Sequence, residues 1–93
     1  MSELLLLFVW THTIPWSIEL AKIAKKDAPK VALRSICADS IEARGILANT
    51  TPRIVGVPVL IVIEHKDGKK TITTTYIKDE IVRLVEVINT GGV

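Results

Sequence analysis

The side chains best suited to nucleophilic or metal chemistry in this sequence are one cysteine, Cys37, and two histidines, His12 and His65. A single cysteine can form neither an intrachain disulfide nor a dithiol redox pair. His12 lies in a short polar loop and His65 in a distant turn, and along the sequence no cysteine or acidic cluster accompanies either as a metal or catalytic site requires. We therefore predict no catalytic residue, no metal site and no cofactor.

The charged residues lack a chemical pattern as well. Aspartates and glutamates are scattered over predicted helix surfaces and turns, without the pairing of a general acid with a base. A basic stretch runs from Lys22 to Arg34, but it is not interleaved with the aromatic residues that stack on single-stranded nucleic acids. This stretch predicts a solvated helix face, so nucleic acid is not favoured as a partner.

Composition predicts one small folded domain over residues 1–93. The 93-residue chain is 48% hydrophobic and carries 12 Lys and Arg against 10 Asp and Glu, which argues against disorder and against strong attraction to anionic partners. The N-terminal apolar run, Leu4 to Trp10, is much shorter than the roughly 20 residues of a membrane-spanning helix, and no basic stretch precedes it as in a secretory signal. We therefore predict a cytoplasmic or otherwise intracellular protein with no membrane partner.

Hydrophobic periodicity predicts the element order β-α-β-α-β-β-α. The strands are expected at 4–10, 30–38, 57–63 and 70–76, and the helices at 15–27, 39–47 and 77–88. Asp39 and Glu42 have the spacing of a capping box at the start of the second helix. Asp67-Gly68 predicts a hairpin turn, and the threonine-rich strand after it predicts a sheet edge. The fold class is α/β, with a mixed four-stranded sheet and three helices on its faces.

This order, with Val57-Pro58 opening the third strand, resembles the thioredoxin fold, and the length is similar to that of its glutaredoxin branch. In that family the first strand leads into a Cys-X-X-Cys motif at a helix start, the place held here by Ile14-Pro15-Trp16-Ser17. The family also sets a hydrophobic residue and a cis-proline opposite the motif, which Val57-Pro58 resembles. The resemblance implies a binding surface made of Ile14, Pro15, Trp16, Ser17, Val57 and Pro58.

Both cysteines of the family motif are missing from this sequence. Thiol-disulfide exchange needs a thiolate at the helix N-terminus, which Ile14 cannot supply, and an iron-sulfur cluster would lose its ligand for the same reason. Gly56 stands where glutaredoxins usually have a threonine, so only the backbone of Val57 is left to pair with the peptide part of glutathione. The resemblance therefore implies a thioredoxin-like protein without redox activity.

We predict a redox-inactive protein-binding or structural module that uses this surface or the threonine-rich strand Thr71 to Thr75. A small component of a larger assembly, such as a viral particle, fits this prediction and would place the protein in a virion; a homo-oligomer is left open. Trp16 either anchors a partner or packs beneath Trp10 and the loop. The alternative function is a glutaredoxin-type thiol-disulfide oxidoreductase that uses Cys37 or a partner's thiol, although the end of a strand favours a buried, inert cysteine.

Overall fold

A computed structural model describes residues 2–49 and 53–91 of the chain. The elements, in chain order, are β1 (Ser2–Trp10), α1 (Pro15–Ile23), β2 (Lys26–Asp27), β3 (Val31–Cys37), α2 (Ile41–Asn49), β4 (Val59–Lys66), β5 (Lys69–Thr75) and α3 (Lys78–Asn89). The four predicted strands and three predicted helices are confirmed. In the part of the chain that the structure describes, the sheet has five strands rather than four, because the short strand β2 adds to it.

The sheet has the strand order β2-β3-β1-β4-β5. The strand β1 runs parallel to β3 and antiparallel to β4, and the hairpin β4–β5 adds a second antiparallel pair. The mixed sheet and the edge position of the threonine-rich strand are thereby confirmed. The apolar strand β1 lies at the centre, where both of its faces are covered.

Side chains of β1 alternate between two hydrophobic cores, as the period of a strand requires. Leu6 and Phe8 pack with residues of α1 and α3 on one face. Leu7 and Val9 pack with Ala43 of α2 on the other face. The three helices are therefore split two against one, and the continuous apolar run of β1 is explained by burial on both sides.

The helix α1 ends at Ile23, earlier than the predicted end near Asp27. Side chains from other elements bind its last carbonyl groups: the Ser35 hydroxyl lies 2.9 Å from the carbonyl oxygens of both Ala21 and Ala24, and the Asn89 amide donates to the Ile23 oxygen at 2.7 Å. Free carbonyls at a helix end are satisfied in this way. The residues that follow are released to form β2 beside β3.

The predicted capping box at Asp39 and Glu42 is wrong by one residue. Ser40 caps α2: its hydroxyl accepts a hydrogen bond from the Ala43 amide at 3.0 Å and donates one to the Cys37 carbonyl at 2.7 Å. This is the usual reach of an N-cap side chain to the third helical residue. Asp39 is therefore left outside the helix, and within residues 2–49 and 53–91 its carboxylate accepts no hydrogen bond.

The predicted hairpin turn is confirmed at Asp67 and Gly68, which have φ values of 52° and 77°. Two successive positive φ angles are the signature of the type I′ turn that joins twisted strands, and glycine takes such an angle without steric cost. Across the described helices, none combines the length and the apolar character needed to cross a membrane.

Candidate functional site

Three chain segments meet at one end of the sheet, which we call the motif edge. β1 and β3 end there side by side, with Trp10 paired to Cys37, and β4 begins there, with Val59 paired to Val9. Because the carboxyl ends of parallel neighbours share an edge, the loops that follow β1 and β3 are close in space. The loop that precedes β4, with Val57 and Pro58, joins them.

The segment Ile14-Pro15-Trp16-Ser17 lies at the motif edge and begins α1. Ile14 is the N-cap residue and contributes no side-chain hydrogen bond to the helix, and Pro15 takes the first helical position, where its fixed φ is suited. Pro15 is exposed and Ile14 is half-buried. An apolar, exposed turn thus occupies the place that the resemblance assigns to a thiol motif.

Ser17 is 0% exposed and belongs to the interior of the loop. Its hydroxyl accepts a hydrogen bond from the Thr11 amide at 3.1 Å, and its single proton can go to the carbonyl oxygen of Thr11 at 2.9 Å or of Ile14 at 2.8 Å. Ser17 was expected at the binding surface, but its side chain reaches no solvent. Its place supports a role in holding the loop that presents Pro15 and Trp16.

Replacing the Ser17 hydroxyl is therefore expected to loosen the loop. Ser17→Ala leaves the buried Thr11 amide without its acceptor, and an unsatisfied buried group costs about 1–3 kcal/mol. We expect a fall of that size in the free energy of unfolding, measured by urea denaturation. Thr73→Ala, on the exposed edge strand, is the matched loss of a hydroxyl and should stay within about 0.5 kcal/mol of wild type. Equal effects of the two changes would contradict this role.

Trp16 packs on the core beneath Phe8 and not, as one of the two sequence alternatives had it, beneath Trp10. Its indole is half-buried and stacks on the fully buried ring of Phe8, with the ring centres 6.3 Å apart. The Lys78 ammonium lies 5.8 Å from the centre of the indole, within the range of a cation–π contact. Trp10 contacts His12 instead, edge to face at 4.7 Å. The Trp16 ring is thus anchored on the core and still presents part of its surface.

Val57 and Pro58 lie at the same edge, and the peptide bond between them is cis, as the resemblance implies. Pro58 is buried, whereas Val57 is half-buried and packs against the core on the α2 face. Of the six predicted binding residues, Ser17 and Pro58 are therefore interior. The other four have side chains that are exposed or half-buried: Ile14, Pro15, Trp16 and Val57.

Two further apolar residues, which are not among the six predicted binding residues, lie at the motif edge. Val55, four residues before β4, is 81% exposed, and Ile77, two residues after β5, is 60% exposed. The Val55 amide donates to the Tyr76 hydroxyl at 3.1 Å, which brings the two segments together. The sequence offers one sign of them, since both residues are large and apolar and both lie outside the predicted strands. We call the exposed and half-exposed set the apolar rim: Ile14, Pro15, Trp16, Val55, Val57 and Ile77.

A cluster of three possible ligands also lies at the motif edge, and it corrects the prediction that His12 has no such partners. A ring nitrogen of His12, the Cys37 sulfur and a carboxylate oxygen of Asp39 all lie within 4.8 Å of one another. His12 and Asp39 are exposed, and Cys37 is half-buried rather than buried. His65 lies at the opposite end of the sheet, paired with Glu3.

The cluster could have been found from the topology. Cys37 ends β3 opposite Trp10 at the end of β1, and His12 and Asp39 each follow two residues later. Polar residues that come just after two adjacent parallel strands meet at one edge. The neighbours of His12 and of Cys37 in the sequence give no sign of this meeting, because it depends on the pairing of β1 with β3.

The chain is similar in structure to a thioredoxin from Thermus thermophilus that was solved in solution. The two structures agree with a TM-score of 0.57 over 92% of this chain and 73% of that chain, at 11% sequence identity. No family model matches the sequence, and no curated protein matches it. At this identity the likeness shows the fold alone. The fold is thioredoxin-like, which confirms the predicted class.

Proposed function

We propose that this thioredoxin-like chain is a redox-inactive module that binds a protein partner through the apolar rim. The observation that carries the proposal is the composition of the loop at the start of α1. Within the segment Ile14–Ser17, which takes the place of the thiol motif, Ile14 offers no nucleophile, and the hydroxyl of Ser17 is buried and engaged in hydrogen bonds within the loop. Apolar side chains remain exposed around it.

Burial of the apolar rim supplies the driving force for such binding. Fully burying an exposed aliphatic side chain is worth about 1.5–3 kcal/mol, and Val55 and Ile77 are both largely exposed in the chain alone. Trp16 is already fixed by Phe8 and Lys78, so little side-chain entropy is lost when a partner covers it. A rigid tryptophan is typical of the few residues that dominate the binding energy of a protein interface.

The edge strand β5 is the less favoured surface. Its outer backbone groups could pair with an added strand, but Lys66, Lys69 and Lys70 gather at its hairpin end. Lysines of this kind discourage edge-to-edge pairing. We therefore propose that the apolar rim is the surface that contacts other proteins. This holds whether the chain belongs to a larger assembly, such as a viral particle, or contacts another copy of itself.

Two isoleucines make a matched pair for testing this proposal. Ile77 belongs to the apolar rim, and Ile23, 56% exposed, lies at the far end of α1. The partner is first captured from the native source and identified, and its affinity for each variant is then measured by titration calorimetry. Ile77→Glu should weaken binding by about tenfold or more, since a loss of about 1.4 kcal/mol is tenfold. Ile23→Glu should leave it within about twofold.

Trp16→Ala should weaken the same interaction at least as much as Ile77→Glu, because it removes the anchored ring. Circular dichroism establishes that the variants are folded. If Ile23→Glu weakens binding as much as Ile77→Glu, the partner does not use the apolar rim and the proposal fails.

A second candidate function is thiol-disulfide exchange through Cys37, favoured by its partial exposure and by the His12 ring nitrogen within 4.8 Å of its sulfur. His12 would accept the thiol proton, and the thiolate would attack a disulfide sulfur, forming a mixed disulfide and releasing the other sulfur as a thiolate. Because the chain has one cysteine, a second thiol, such as that of glutathione, must attack the mixed disulfide and regenerate Cys37.

Thiol titration of the native protein tests this second candidate. Under the redox-inactive proposal, we expect Cys37 to react with a disulfide reagent no faster than a free small thiol, with Cys37→Ser as the blank. A thiolate activated by His12 would react faster than the free thiol, and this excess would fall in His12→Gln. That pair of results would favour the oxidoreductase over the binding module.

A further inference from the structure

We infer that His12, Cys37 and Asp39 form a binding site for a divalent transition-metal ion, with Zn²⁺ as the best match. The site lies at the motif edge beside the apolar rim, and it does not depend on the rim or on a protein partner. In this site Cys37, the one cysteine of the chain, is a metal ligand.

The donor set fits zinc chemistry. The three side chains offer an imidazole nitrogen, a sulfur and a carboxylate oxygen, and Zn²⁺ binds each of these types, usually in a tetrahedral arrangement. Ca²⁺ and Mg²⁺ prefer oxygen ligands, so a cysteine and a histidine disfavour them. Three protein ligands leave the fourth position for water or a group on a bound molecule, as in open zinc sites.

The spacing is close to what zinc needs. Zinc bonds of about 2.0–2.3 Å in tetrahedral directions place ligand atoms roughly 3.3–3.6 Å apart. The three donor atoms lie within 4.8 Å of one another, so closure needs a shift of about an ångström. His12 and Asp39 are exposed, and rotation of their side chains supplies it.

The backbone under the three ligands is already fixed. The Ala38 amide donates to the Trp10 carbonyl at 2.8 Å, joining the ends of β1 and β3. The loop that carries His12 is held through Thr11 by the buried Ser17 hydroxyl. Ligands on a tied backbone lose less entropy when they close on an ion, which raises affinity.

Two side-chain features fit the same assignment. Asp39 leaves the capping of α2 to Ser40, and its carboxylate accepts no hydrogen bond from the rest of the described chain. The His12 ring rests against Trp10 at 4.7 Å, which orients the imidazole. Trp10 therefore also reports on the site, because a metal ion on His12 changes the environment of the indole.

The test is a titration of the metal-free full chain with Zn²⁺. Binding is monitored by the fluorescence of Trp10, and all proteins in this titration carry Trp16→Phe so that Trp10 is the one tryptophan. Parallel titration with Co²⁺ gives a sulfur-to-metal charge-transfer band if the cysteine is a ligand. We expect saturable binding of one ion per chain. Cys37→Ser should abolish the charge-transfer band. His12→Gln and Asp39→Asn should each weaken binding by roughly 100-fold, since even outer-shell changes cost about 10- to 100-fold.

His65→Gln is the matched control, because it makes the same change at the other end of the sheet. It should bind Zn²⁺ within about twofold of wild type, a smaller change than outer-shell substitutions cause. In wild-type protein, Zn²⁺ should also slow the alkylation of Cys37, a measurement that needs no variant. Absence of binding, binding unchanged in Cys37→Ser, or equal losses in His12→Gln and His65→Gln would each overturn the inference. None of these outcomes bears on the apolar rim.

Discussion

Phe8→Ala is expected to lower the free energy of unfolding by about 3–5 kcal/mol, the cost of truncating a phenylalanine in a core. Phe8 is 0% exposed, lies on the central strand β1 and belongs to the core between the sheet, α1 and α3. Small domains have only about 5–15 kcal/mol of stability in all, so the variant should be near its unfolding transition under native conditions. Urea denaturation followed by circular dichroism measures the difference.

Phe8→Leu separates the two roles of this ring. It keeps most of the buried volume and should cost less than about 1.5 kcal/mol, yet it removes the stacking on Trp16. In a Trp10→Phe background, quenching of Trp16 by iodide should increase in Phe8→Leu. If quenching is unchanged, Phe8 does not hold the Trp16 ring in place, and the apolar rim has no rigid aromatic residue at its centre.

The double variant I14C/S17C is expected to gain a redox-active disulfide. The backbone amide of Ser17 already bonds to the Ile14 carbonyl at 3.1 Å, which closes one turn at the start of α1. A sulfur at position 14 would lie at a helix N-terminus, where free amides favour a thiolate. We expect a reversible midpoint potential in the range of roughly −120 to −270 mV that dithiol oxidoreductases span, measured by glutathione redox titration.

The single variant I14C is the control for this gain. It has a thiol at the same place but no partner, so it should form mixed disulfides with glutathione and no internal disulfide. If I14C/S17C folds and its two sulfurs do not pair, positions 14 and 17 are not the equivalents of the thioredoxin motif, and the resemblance fails at its most specific point.

Patterns within a short stretch of sequence predicted those elements whose structure depends mainly on their own residues. The apolar run of β1 predicted a central strand because its length suits burial on both faces, and Asp67-Gly68 predicted the turn because the two positive φ angles depend on those residues. Where partners come from afar, prediction was poorer. The strand β2 follows an early end of α1, where the last carbonyl groups bind the distant side chains of Ser35 and Asn89.

The candidate site was predicted only in part for the same reason. The segment around Pro15 and Trp16 was found because it is continuous in sequence. The buried state of Ser17 depends on Thr11, six residues away, and the meeting of His12 with Cys37 depends on the pairing of β1 with β3. Such contacts follow from topology, which hydrophobic periodicity alone does not specify.

The most direct test of the redox-inactive assignment is a disulfide-reduction assay with glutathione as the electron donor, in which wild type, Cys37→Ser and I14C/S17C are compared. We expect wild type and Cys37→Ser to be indistinguishable from the reaction without protein, while I14C/S17C reduces the substrate. Turnover by wild type that disappears in Cys37→Ser would show that the chain is redox-active and that Cys37 is the nucleophile.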